Sequence, residues 1–242
     1  MPWRERWKEW AGPRWTVCAR VLLRGNEWPR WGNLRRTTPF STQFGFDRGT
    51  PVDRYYLEAF LRANRQHITG DVLEIQLASY TERFGTGVRV SHSIDIRPDF
   101  TPTYVCDLSA CGDAVPSDRY DCFLLPNTVQ HLRDVEPALR HALRIVKPGG
   151  VILASGAGFI PLIPDGPDYW RITADGWQVL AARVWPGCDI AIESHGNCLS
   201  AIAALHGLAA EELTTLELDR NDRRYPVLMT IRCTKPNGRT PS

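Results

Sequence analysis

The stretch Gly70–Thr81 restricts the possible folds of this chain more than any other. Gly70-Asp71-Val72-Leu73-Glu74-Ile75-Gln76-Leu77-Ala78-Ser79-Tyr80-Thr81 is a short apolar run that ends in an acid-bearing turn, and a helix is expected to start near Thr81. A strand that runs through a loop straight into a helix is the unit from which parallel sheets are built. Roughly twenty residues on, a second apolar run ends at Asp95, where a carboxylate is placed to accept vicinal hydroxyls.

The same unit repeats along the chain. Strands are expected at about 71–76, 88–95, 103–106, 120–125 and 151–155. Helices fall between them, at about 80–85 and 130–146, the second with Leu132, Val135, Leu139, Leu143 and Val146 inward. Lys147-Pro148-Gly149-Gly150 stops that helix and feeds the fifth strand. Thr173 caps a helix to about Val184, and a sixth strand covers 189–194. A helical insertion covers 198–217, with His206 on its apolar face, and a last strand covers 226–234. Before the first strand, Thr50 and Pro51 open a helix whose stripe is Val52, Tyr56, Ala59 and Phe60.

This order resembles the class I S-adenosylmethionine-dependent methyltransferases, over about residues 44–234. The closest motif is Leu143-Arg144-Ile145-Val146-Lys147-Pro148-Gly149-Gly150-Val151, similar to the family's L-x-x-x-K-P-G-G-x turn. The glycine loop departs from E-x-G-x-G-x-G, with Gln76, Ala78 and Tyr80 in the three glycine places. The resemblance implies a Rossmann-like α/β fold: a seven-stranded, mostly parallel sheet with helices on both faces, an antiparallel last strand and an N-terminal helical arm. Residues 44–236 would form the domain and 237–242 a loose tail.

The resemblance also implies a cofactor, S-adenosyl-L-methionine, with S-adenosyl-L-homocysteine as product. Arg54 and Tyr55 would serve its amino-acid end, Asp53 less readily, and Glu74 would brace the loop or that same end. Gln76 and Ala78 would line it, and Tyr80 could stack near the sulfonium. Asp95 would take the ribose hydroxyls and Ile96 would pack on the adenine. Asp107, with the Leu108 amide, would read the adenine, and Asn127, Thr128 and Gln130 would lie near the sulfonium and substrate. If the acceptor is a hydroxyl or amine of high pKa a base is needed, and His131 and His195 are the candidates, each competing with a packing role.

After the fifth strand comes a long loop, Gly156 to Arg171. A loop of this length in a compact domain reads as a lid. Phe159, Tyr169, Trp170 and Arg171 are its candidate acceptor contacts, and lining by Trp170 and Arg171 would suit a planar or aromatic, even anionic, acceptor; the competing reading is that both anchor the loop.

Residues 1–43 read as a separate arm. Residues 1–36 hold six of the nine tryptophans, and nine Arg or Lys face three Glu there. Trp3, Trp7 and Trp10 share one helical face. The arm suits a lid or packing helix, a membrane-surface helix or, least well, a nucleic-acid patch. No apolar run of membrane-spanning length occurs, and Met1-Pro2-Trp3-Arg4-Glu5-Arg6 lacks the apolar core of a signal peptide, so none is expected. The seven cysteines are scattered without a C-x-x-C pair, so reduced thiols and no metal site are expected.

The function the resemblance implies is methyl transfer to a small-molecule acceptor, in natural-product (antibiotic) biosynthesis or glycan tailoring; a cytoplasmic location, no nucleic-acid partner and no integral membrane contact are expected with it. A homodimer is left open. The alternatives are a cyclisation or rearrangement enzyme on the same fold and a non-catalytic scaffold with a decayed cofactor loop.

Overall fold

The computed structural model describes residues 32–164 and 166–238. The chain divides into two units, 1–38 and 39–242. In the first, a 3-10 turn covers Gly32–Leu34. The expectations for the tryptophan arm fall on residues 1–31, outside the described residues, as do residues 239–242 of the tail.

The second unit opens with helix α1 (Val52–Ala63). It begins one residue later than the Thr50 cap predicts, because the Thr50 amide bonds Glu211 and Pro51 bridges to Ala209. Its buried stripe is Val52, Tyr56, Leu57, Phe60 and Leu61, while Ala59 faces solvent. Then follow β1 (Gly70–Ile75), α2 (Ser79–Phe84), β2 (Val88–Asp95), β3 (Tyr104–Val105) and β4 (Tyr120–Leu125). After them come α3 (Val135–Ile145), β5 (Val146–Ala157), α4 (Ala174–Val184), β6 (Asp189–His195), α5 (Cys198–Leu205), α6 (Thr215–Asp219) and β7 (Leu228–Thr234).

These strands form one seven-stranded sheet in the order β3-β2-β1-β4-β5-β7-β6, and β7 alone runs antiparallel to its neighbours. The order reverses between β1 and β4, so a crevice opens beyond their carboxyl ends. Alternation along each strand sends side chains to both faces. Leu73, Phe123, Leu125, Ile152 and Ala154 join one core with α3 and α4, where Trp177 and Trp185 are fully buried. Val72, Cys122, Leu124, Val151 and Leu153 join the other with α1, α2 and α5. The result is a three-layer α/β/α fold.

Three expected elements differ in detail. Residues 129–131 form a separate 3-10 turn, so α3 starts at Val135 rather than near residue 130. The insertion at 198–217 is broken by Gly207, at φ +67°, into α5 and α6. On α5 the alanines face inward and Leu199, Ile202 and Leu205 face out. The Lys147–Gly150 turn bulges out of β5: the pairing jumps from Tyr120–Val146 to Cys122–Val151. At Gly150 a Cβ would lie 2.5 Å from Val146 Cγ1 and 2.9 Å from the Asp121 carbonyl, so only glycine fits there.

The bulge also places Lys147 Nζ between Asp71 and Asp121, at 3.1 and 2.9 Å, with Arg89 and Arg119 alongside. Burial opposes ionisation of these two carboxyls, but it is outweighed, at Asp71 by the cations and at Asp121 by the Asp71 amide and Lys147, and both are held below the usual range. This network and a groove of about 490 Å³ lined by Gln66, His67, Arg89 and Gly149 lie at the amino-terminal edge of the parallel strands, opposite the switch-point crevice.

Candidate functional site

The crevice begins at Glu74, whose side chain leaves β1 on the α2 side of the sheet. It is 1% exposed. Its Oε1 accepts the Tyr80 amide at 3.0 Å, and its Oε2 accepts the Thr81 amide and hydroxyl at 2.8 and 2.7 Å. Burial pushes the carboxyl up against the pull of these donors. Glu74 therefore braces the loop, and both its oxygens are committed to it.

That bracing explains how the loop dispenses with glycine. Of the three substituted positions only the first has left-handed torsions: Gln76 sits at φ +67°, with its amide bonded to the Ile94 carbonyl at 2.9 Å. Ala78 has φ −79° and ψ 26°, and Tyr80 lies within α2, so neither place requires glycine. An L-residue in the left-handed region costs about 1–2 kcal/mol, offset in part by the chain entropy glycine would add. We expect Gln76→Gly to leave stability unchanged or raise it by up to about 1 kcal/mol in urea unfolding, with the fold intact. A loss above about 1 kcal/mol would assign the Gln76 side chain a structural role.

Beyond β2, Asp95 Oδ1 accepts the Arg97 amide at 2.7 Å, and the side chain is 10% exposed. Among the described residues its second oxygen has no protein partner. Ile96 stands next to it, 64% exposed. Past β3, Asp107 Oδ1 accepts the Ser109 amide at 2.8 Å and the Ser109 hydroxyl, and Leu108 is buried. An open carboxylate, an exposed isoleucine and an acid at successive strand ends suit a nucleoside.

The other side of the crevice is polar and connected. Asn127, after β4, adopts φ +46°, a conformation asparagine tolerates. Its amide N–H donates to Ser155 Oγ at 2.8 Å, Ser155 donates back to Asn127 Oδ1 at 3.0 Å, and Asn127 Nδ2 donates to Asp53 Oδ2 at 2.8 Å. Asp53 also pairs with Arg54 at 3.0 Å. The first turn of α1 is thereby tied to the ends of β4 and β5. Ser155, fully buried, went unnoticed in the sequence because it reads as one more strand residue.

Several sequence candidates go elsewhere. Tyr55 donates its hydroxyl to Asp219 on α6 at 2.7 Å, which with burial pushes the phenol up to about 12. It does not join the Asp53–Asn127 cluster. Tyr80 stacks on Phe84 at 6.3 Å and packs with the α1 core; burial raises its hydroxyl, which feels Arg54 and Asp53. His195 ends β6, three strands from β4, about 14 Å at normal strand spacing. Its Nε2 meets Thr230 Oγ1 at 2.7 Å, its ring stacks on Tyr56, and burial lowers its pKa. A packing residue fits that position better than a base.

His131 is different. Its Nδ1 lies 2.7 Å from the Pro167 carbonyl, which can only accept, so Nδ1 carries a proton, and in the neutral ring Nε2 is the acceptor. Thr128 and Gln130 are buried beside it; Gln130 Nε2 donates to the Asn127 carbonyl at 2.7 Å, and its Oε1 is buried without a partner.

The β5 loop is stitched to this same segment. The Tyr169 amide donates to the Gln130 carbonyl and the Trp170 indole N–H to the Leu132 carbonyl, each at 2.7 Å. Arg171 pairs with Asp168. Trp170 and Arg171 are loop anchors, then, though the Trp170 ring stays 40% exposed. Among the described residues no His, Cys, Asp or Glu cluster could hold a metal, and no helix is long and apolar enough to cross a membrane.

Residues 59–154 match the methyltransferase domain family. No curated protein sequence matches the chain. A chain from the complex that holds the Haloferax volcanii Trm112 methyltransferase activator superposes with a TM-score of 0.54 at 16% identity, over 84% of this chain and 98% of that one. A SAM-dependent methyltransferase of Archaeoglobus fulgidus gives 0.52 at 15% identity, over 81% and 100%. The cyclase SpnF gives 0.52 at 13% identity, over 79% and 85%. At such identities the likeness is one of fold, and the fold is that of the class I methyltransferases, with strand order 3-2-1-4-5-7-6.

Proposed function

We propose, on the premise that the core of this chain is a class I methyltransferase domain, that the protein transfers a methyl group from S-adenosylmethionine to a small-molecule acceptor. The observation that carries this reading is the pair of settings at the switch point: an open carboxylate with an exposed isoleucine on one side, and the Asp53–Asn127–Ser155 cluster on the other.

The residues present fit such a cofactor. Asp95 would hold ribose hydroxyls, Ile96 and the Asp107–Leu108 turn the adenine. Asp53 and Arg54, an acceptor and a cation at one spot, would hold the ammonium and carboxylate of the amino-acid end. Bound there, S-adenosylmethionine supplies an electrophilic methyl group and leaves as S-adenosylhomocysteine. The protein's part is alignment, which can supply most of the rate. His131, with Nε2 unprotonated, would take the proton of a hydroxyl acceptor.

Two measurements test this. Titration calorimetry should show both S-adenosylmethionine and S-adenosylhomocysteine binding at micromolar Kd; folded, cofactor-free protein that binds neither would leave the scaffold reading standing. On a hydroxyl acceptor found by mass spectrometry of a phenol panel, His131→Ala should cut kcat by about 10²–10⁴. An unchanged kcat would rule His131 out as base. The cyclase SpnF among the structural neighbours defines the alternative outcome: cofactor binding and substrate conversion without a methyl increment. A tailoring role in natural-product biosynthesis belongs to the same proposal, supported by the apolar rim considered next.

A further inference from the structure

The loop after β5 is tied to the β4 segment, yet it leaves its large apolar side chains in solvent. Phe159 is 48% exposed, Leu162 68% and Tyr169 49%. Phe46, 59% exposed, lies 5.9 Å from the Arg54 guanidinium. Arg54 pairs with Asp53, which bonds Asn127, while Tyr169 bonds Gln130. These contacts link Phe46, through Arg54 and Asp53, and Tyr169 to the residues that follow β4. Exposed aromatic and aliphatic groups gathered beside a polar cluster mark a binding surface.

The charges beside them are cancelled. Asp168, whose side chain is 5% exposed, takes the Arg171 guanidinium on both oxygens, Nη2 to Oδ2 at 2.7 Å, and Oδ2 also accepts the Ile163 amide at 3.2 Å. Burial works against the Asp168 carboxylate, but Arg171 and the Ile163 amide hold its pKa below the usual range, so the pair is ionised and net neutral. On the α1 side Arg54 is paired with Asp53 and, in the methyltransferase reading, is left to the carboxylate of the cofactor. An anionic acceptor would therefore find the Arg171 guanidinium already committed, and its own desolvation would go unrepaid.

We propose that the acceptor is a neutral molecule with an aromatic or aliphatic body, and that Asp168 sets this preference by cancelling the charge of Arg171. The proposal rests on the methyltransferase reading above, and it replaces the anionic acceptor that Arg171 suggested in the sequence.

The test uses 2-naphthol and 2-naphthoate, flat probes of equal ring size that differ in charge at neutral pH. Each is titrated into protein loaded with S-adenosylhomocysteine and followed by tryptophan fluorescence quenching. The wild type should bind 2-naphthol about tenfold tighter or more. Asp168→Asn frees Arg171 and should strengthen 2-naphthoate about tenfold, with 2-naphthol changed by less than about twofold. The double variant Asp168→Asn, Arg171→Gln should return 2-naphthoate to weak binding. A merely loosened loop would affect the single and double variants alike, so an equal response in both overturns the proposal. So does equal binding of the two probes by the wild type, or binding of neither. If Arg133→Ala, in the exposed turn before α3, removes the gain seen in Asp168→Asn, the assignment to Arg171 falls. Failure of folded protein to load S-adenosylhomocysteine is a separate result: it overturns the methyltransferase reading, and the proposal with it.

Discussion

Glu74→Ala should lower stability by about 3 kcal/mol, because it strips three donors of their one acceptor side chain at roughly 1 kcal/mol each. It should also abolish measurable S-adenosylhomocysteine binding, since the loop that Glu74 braces forms the β1 side of the crevice. Glu74→Gln should be graded: an amide oxygen at the Oε2 position keeps both Thr81 bonds and loses only the Tyr80 bond, costing about 1 kcal/mol. The pH dependence separates the two effects. Burial raises the folded-state pKa of Glu74 above its unfolded value. Ionisation therefore costs stability as pH rises from the unfolded through the raised folded value, and the wild type loses that increment over this interval. Glu74→Gln has no such loss. Urea unfolding across pH 4 to 7, about the carboxylate range, reads both the size and the slope. A stable Glu74→Ala protein that still binds S-adenosylhomocysteine would show that the loop holds its shape without the brace.

Asp95→Ala should do the reverse, leaving stability nearly intact and weakening S-adenosylhomocysteine. The side chain makes one turn bond, to the Arg97 amide, so little of the fold depends on it. Losing the partner of buried ribose hydroxyls costs about 1–3 kcal/mol, a factor of about 5–150 in Kd. Asp95→Asn keeps one acceptor oxygen and should fall between. Calorimetry at matched protein stability reads the effect, and an affinity unchanged by Asp95→Ala would remove this residue from the site. The Glu74 and Asp95 variants thus separate two carboxylates that look alike in the sequence, one holding the loop and one facing the crevice.

The layout of the fold was legible because alternation of short apolar runs with amphipathic segments leaves few topologies. Right-handed crossovers and a breaker turn at Lys147–Gly150 narrowed them further. The acids at strand ends and the long loop after β5 could be located by counting, whereas the antiparallel sense of the last strand followed only from the family resemblance. Residues in contact across long sequence separations could not. Tyr55 and Arg54 are adjacent on α1, yet one hydroxyl turns to Asp219 and the other side chain to Asp53, because a helix rotates successive residues about 100° apart. Ser155 gives no sequence signal at all; it matters because β5 lies beside β4 and brings its hydroxyl to Asn127.

The glycine loop shows where the boundary lies. From the sequence alone, three filled positions look like three obstructions. In the structure only Gln76 needs the left-handed region, and the Glu74 carboxylate pins the amides that follow. Likewise Arg171 reads as a free cation until Asp168, three residues earlier, is seen to take its charge. What the sequence by itself determined was the periodicity: which segments are strands, which helices, and which strand ends carry acids. That is information local to ten or so residues. Only the tertiary structure decided which of those charges are spent on the protein itself and which remain for a ligand. Pairing, burial and tautomer depend on how the folded backbone aims neighbouring side chains, whether three residues away or a hundred, and the energy of an ionised group is set by those neighbours rather than by its own identity.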